Sequence, residues 1–169
     1  THPEVLKMYA KHYETGEPIP DELIEKIRKA RHFNQGFETV EYLAASYLDM
    51  DWHTLEDTTQ QNVHQFEKES LDEIGLIPEI VVRYRSTYFS HIFAGGYSSG
   101  YYSYIWSGVL DADAFQAFKE TDIFDRETAS AFRENILERG GTADPMEMYK
   151  AFRGAEPKIE PLLQRRGLN

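Results

Sequence analysis

Across its 169 residues the chain sets 18 Lys and Arg against 29 Asp and Glu, a formal charge of −11. That acidic surplus repels phosphate backbones and anionic lipid alike, and so argues against nucleic acid and membrane as partners. A 41% hydrophobic content supplies a core and argues against disorder, while the absence of Cys rules out disulfides and a thiolate metal site. No stretch approaches the ~20 apolar residues of a membrane-spanning helix and no charged-then-apolar leader opens the chain, so a cytoplasmic location is expected. The chain starts at Thr1 directly in helical sequence, and the expectation is that it has been cut from something longer.

Helical spacing dominates from the start, with Val5, Leu6, Met8 and Tyr9 preceding the break at Gly16 to Pro20. From Asp21, acidic residues come first, Lys26, Arg28, Lys29 and Arg31 come later, and Leu23, Ile24, Ile27 and Ala30 fall at helical intervals. After a joint at Gly36, Phe37, Val40, Leu43, Ala44, Tyr47 and Leu48 form an apolar stripe. Val63, Phe66, Ser70, Leu71 and Ile74 form another ahead of Gly75 and Pro78. The aromatics then crowd together, nine of them in the 23 residues from Tyr84 to Trp106, where ordinary spacing at this composition would give about three. A helix is predicted from Tyr97 to about Thr121, and another from Asp125 with Phe132, Ile136 and Leu137 facing inward and Gly140-Gly141 ending it. Asp144-Pro145-Met146-Glu147 supplies an N-cap, a proline at the first helical position and an early acid, which specifies a helix start. No alternation of period two persists. The fold class is all-α.

The chemistry-bearing stretch is His91 to Tyr104, which holds one histidine, the pair Gly95-Gly96 and the tyrosines Tyr97, Tyr101 and Tyr104. On a helix those tyrosines, at i, i+4 and i+7, would project from one side, and the glycines would let backbone amides approach a bound chain. A neutral phenol, with an ordinary pKa near ~10, donates a hydrogen bond at neutral pH and can stabilise an oxyanion without carrying charge. Buried tyrosines with satisfied hydroxyls account for the same spacing, and composition alone does not separate the two readings.

His91-Ile92-Phe93-Ala94-Gly95-Gly96-Tyr97 and the residues on to Trp106, with Phe33-Asn34-Gln35-Gly36-Phe37, Glu41-Tyr42-Leu43-Ala44-Ala45, Asp113-Ala114-Phe115 and Phe152-Arg153-Gly154, resemble the C-terminal part of zinc-dependent peptidyl-dipeptidases, relatives of thimet oligopeptidase. The resemblance covers essentially the whole chain and implies that residues 1–169 are the C-terminal part of a helical peptidase catalytic domain. It implies that His91 and Tyr104 bind the scissile carbonyl region, with Tyr104 stabilising the tetrahedral oxyanion, and that Tyr97, Gly95 and Gly96 contact substrate. It further implies short peptides as substrate, release of C-terminal dipeptides as the favoured reaction, and the remainder of the domain as partner. The zinc of such enzymes sits on a His-Glu-x-x-His helix. Here the six histidines include no two four positions apart, so zinc belongs to the parent enzyme and the chain alone is expected to be inactive. An excised segment exposing the face meant for its missing partner is also expected to self-associate.

Other patterns compete. His53-x-x-Glu56 and His64-x-x-Glu67 imitate metal-ligand spacing, but such pairs arise easily on the solvated helix faces of an acidic chain. Gly96-Tyr97-Ser98-Ser99-Gly100 matches the serine-hydrolase elbow, yet no histidine follows His91 and no strand is predicted before it. Arg83 and Arg85, just ahead of the tyrosine block, are charged for a peptide's terminal carboxylate, with structural or surface roles as the alternative. A self-contained helical module that grips peptides without catalysis is the competing function.

Overall fold

A computed structural model describes residues 2–57, 59 and 61–168. Those residues form helices and no strand, with one isolated antiparallel bridge between Lys11 and Pro18, in agreement with the predicted all-α class. Two compact units emerge, one comprising the chain up to Phe33 together with everything from Gly108, the other Asn34–Ser107.

The second unit carries the aromatic stretch. Helix α3 (Gln35–His53) packs against α4 (Val63–Glu73), which Asn62 opens by accepting the Gln65 amide at 3.2 Å. A 3₁₀ turn (Ser86–Tyr88) and the single-turn helix α5 (Ser90–Phe93) follow. The core joins Ala44, Ala45 and Leu48 of α3 to Val82, Phe89, Ile92 and Tyr101. The buried face of α3 is therefore rotated from the predicted stripe: Phe37, Val40 and Tyr47 are exposed and Asp49 is fully buried. Small Ala44 and Ala45 share the core with the Phe89 and Tyr101 rings, while the larger Phe37, Val40 and Tyr47 of α3 turn outward.

In the first unit, α1 (Pro3–Tyr9) and α2 (Asp21–Ala30) contribute Leu6 and Ile24 as buried residues. Helix α6 (Ser103–Glu120) gives this unit Val109 and Ala112, which pack on Leu162 of α9 (Glu160–Arg166). Helix α7 (Arg126–Phe132), capped by the Asp125 carboxylate on the Thr128 amide at 2.7 Å, continues into a π-helical turn, Arg133–Leu137. That turn leaves Leu137 exposed, contrary to expectation, because the i→i+5 pattern shifts the positions after Phe132 round the axis. The Asp144 cap behaves as predicted. Its carboxylate accepts the Met146 and Glu147 amides at 2.9 and 3.1 Å and starts α8 (Pro145–Arg153).

Candidate active site

The predicted helix through Tyr97, Tyr101 and Tyr104 is interrupted. Residues 98–102 form turns and α6 begins only at Ser103. The cause lies fifty residues away in the sequence, at Asp49. Its buried carboxylate accepts the Ser99 amide at 3.0 Å and the Tyr101 amide at 2.9 Å, while Ser99 sits in the left-handed region at φ 53°. His53 Nδ1, one turn on, lies 2.9 Å from Asp49 Oδ1 and 2.8 Å from the Asp49 carbonyl oxygen. Both are acceptors, so Nδ1 carries the proton. The Tyr42 hydroxyl donates to the Tyr101 carbonyl at 2.6 Å, and that of Ser98 to the Ile92 carbonyl at 2.5 Å. Asp49 escaped the sequence reading because nothing local distinguishes it from a solvated acid. The available signal was its position on the same helical face as Ala45 and Leu48.

Held this way, the tyrosines gather although they share no helix face. The Tyr97 and Tyr104 rings stack at 5.1 Å, Tyr101 meets Tyr104 edge-on at 5.3 Å, and the His91 ring lies 5.9 Å from Tyr97 and 5.8 Å from Tyr101. Tyr84 closes the far side of His91 at 4.8 Å. Tyr101 is buried, whereas Tyr104 is 41% exposed. A hydrogen bond to Tyr97 pushes the Tyr104 phenol up to about 12, assisted by partial burial and the neighbouring phenols. His91 Nδ1 is buried with no hydrogen-bond partner among the described residues.

The glycines divide. Gly95 is required by close approach, since a Cβ there would stand 2.8 Å from the His91 carbonyl oxygen, and its amide already donates to Ser90 O at 2.7 Å. That amide is thus engaged within the loop. The exposed Gly96 amide meets no protein acceptor among the described residues. The Tyr97 amide donates back to the His91 carbonyl at 3.2 Å, folding the loop over the end of α5.

The competing motifs do not assemble. His53 is bonded to Asp49, and His64 is exposed while Glu67 is buried against Ser86 and Arg85. No strand precedes Ser98 among the described residues. Nor do the described residues bring together three His, Asp or Glu side chains that could hold a metal ion, so the side chains present do not fit the zinc that the resemblance implies.

The sequence profile of peptidase family M3 matches residues 1–168. Over an alignment of 171 positions that takes in all of this chain, the sequence is 48% identical to the dipeptidyl carboxypeptidase of Escherichia coli (strain K12), covering 25% of that protein. It is 41% identical to oligopeptidase A of Salmonella typhimurium over 98% of this chain and 25% of the relative, and 32% identical to saccharolysin of Saccharomyces cerevisiae over 93% and 22%. The chain thus spans about a quarter of the length of the curated relatives it matches. With a match from end to end and these identities, the chain belongs to peptidase family M3.

Proposed function

We propose that residues 1–169 are the C-terminal part of the catalytic domain of a zinc metallopeptidase, where they bind substrate and stabilise the oxyanion. The enzyme hydrolyses short peptides and releases C-terminal dipeptides. The observation carrying this is the convergence of His91, Tyr97 and Tyr104 in one cluster with the Tyr104 phenol at its exposed edge, in a chain of a peptidase family.

Amide hydrolysis passes through a tetrahedral species whose former carbonyl oxygen gains negative charge, so a donor aimed at that oxygen stabilises the transition state more than the bound substrate. Tyr104 suits that task because its raised pKa keeps it a neutral O–H donor through the physiological range. Tyr97 fixes the ring by stacking and by its hydrogen bond. Two hydroxyls carry two protons, and the bond between them uses one. The other is left for substrate, and which tyrosine supplies it can switch without either ring moving. His91, fixed between Tyr84 and Tyr97, contacts the same carbonyl region, and the Gly96 amide is open to a peptide carbonyl. The zinc has its ligands outside this chain, and the isolated chain hydrolyses nothing.

The test is Tyr104→Phe in the complete polypeptide. The expected fall in kcat is about 10²–10³ with KM little altered, and unchanged turnover would refute the assignment.

A further inference from the structure

Two arginines precede the tyrosine block, and the structure separates them. Arg85 Nη1 lies 2.6 Å from Oε1 of buried Glu67, whose other oxygen accepts the Ser86 amide at 2.7 Å and hydroxyl at 3.0 Å. Arg85 belongs to the scaffold. Arg83 is exposed and has no carboxylate within ion-pair distance among the described residues, in a chain where acids outnumber bases by 29 to 18. Its guanidinium carbon lies 5.6 Å from the centre of the Tyr84 ring, the same ring that flanks His91 at 4.8 Å. Burial raises the Tyr101 pKa and the Arg83 charge opposes that rise, so the arginine's positive field extends into the phenol cluster.

The spacing is on the scale of a dipeptide. The two ring steps bound the separation of guanidinium carbon and imidazole centre at about 10 Å. An extended chain advances ~3.3–3.6 Å per residue, so two residues beyond a scissile carbonyl carry the terminal carboxylate about 7 Å. A charge-assisted N–H···O bond then adds ~2.8 Å.

We infer that Arg83 determines specificity: its guanidinium receives the free C-terminal carboxylate of a peptide whose scissile bond, two residues upstream, lies at His91 and Tyr104. This inference rests on the peptidase reading above.

Wild type, Arg83→Gln, Arg83→Lys and Arg85→Gln are compared in the complete polypeptide. Each is assayed on one peptide as free acid and as C-terminal amide, and calorimetric titration gives the affinity for the matching dipeptide and its amide. Wild type is expected to favour the acid. Arg83→Gln should lose about 10–100-fold in kcat/KM on the acid and almost nothing on the amide, with a parallel loss of dipeptide affinity. Arg83→Lys should keep part of the preference, since a point charge remains without the bidentate fork, and Arg85→Gln should keep all of it while melting earlier. An acid preference that survives in Arg83→Gln overturns the Arg83 assignment and leaves the peptidase reading standing. Equal cleavage of acid and amide by wild type overturns both dipeptide release and the role of Arg83. Failure of wild type to cleave either peptide refutes the peptidase reading alone. The dipeptide affinities then decide for Arg83: a loss confined to the acid in Arg83→Gln upholds carboxylate capture, and no loss overturns it.

Discussion

Tyr104 and Tyr149 are both phenols with raised pKa values, for opposite reasons. Tyr149 is pushed up by burial and then by its hydrogen bond to the Asp113 carboxylate at 2.7 Å. That buried aspartate also faces Arg153 Nε at 3.4 Å, and Arg153 grips Glu120 through two bonds of 2.9 Å. The Tyr149 proton is tied to a carboxylate out of reach of any ligand. Tyr104 is raised first by another phenol, at an exposed edge, where a stronger acceptor can take the donor over. Each unit has a buried aspartate beside its tyrosines, but Asp113 takes the Tyr149 phenol whereas Asp49 takes main-chain amides and leaves the Tyr97 and Tyr104 hydroxyls to pair with each other. An unusual phenol pKa therefore does not mark a functional residue until its cause is known.

The contrast breaks most sharply through kinetics. Tyr104→Phe, expected to remove about 10²–10³ in kcat, should leave the melting temperature nearly unchanged because the hydroxyl is at the surface. Next comes Asp49→Asn, which points an NH₂ group at a backbone donor; it should lower stability by about 2–4 kcal/mol in denaturant titrations. It should also lower kcat by about tenfold in the complete polypeptide, because the loop no longer sets both tyrosines. A variant that loses stability but keeps full turnover would show that the Asp49 anchor does not position the site. Glu67→Gln should remove about 2–3 kcal/mol at neutral pH. Burial drives the Glu67 carboxyl up, but the Ser86 amide, Arg85 and the Ser86 hydroxyl pull it lower still, so its folded pKa is depressed. Its stabilisation is present above the ordinary carboxylate pKa and lost as pH falls through the lower folded value. The melting gap between wild type and Glu67→Gln should therefore close on acidification, and a gap that widens would reverse that sign. Smallest is Tyr149→Phe, expected to lower stability by about 1–2 kcal/mol while altering kcat less than twofold. A large kcat loss there would erase the distinction between the two tyrosines.

What could be read from the sequence was local. Asp144 and Pro145 announced α8 because capping involves neighbours three residues apart, and the apolar spacing after Asp21, Gly36 and Asn62 located α2, α3 and α4. His91, Tyr97 and Tyr104 lie together, yet the tyrosines do not meet through their i, i+4, i+7 spacing. What joins them is a fold back over α5 and a turn held from Asp49. Contacts across fifty residues leave no periodic trace, and a buried acid looks like any other in a chain with 29 of them. Arg83 and Arg85 were likewise equivalent until Glu67, eighteen residues before Arg85, claimed one of them.

Because Asp49 grips the peptide backbone at 99 and 101 and not the side chains there, the identities of the residues rimming the site are decoupled from its geometry. Tyr102, exposed and outside these bonds, can vary while the paired rings keep their places, whereas Ser98 is tied by its hydroxyl to the Ile92 carbonyl and Ser99 by its positive φ. Substitutions that delete a main-chain N–H, above all proline at 99 or 101, are the changes that lineages of this scaffold cannot absorb.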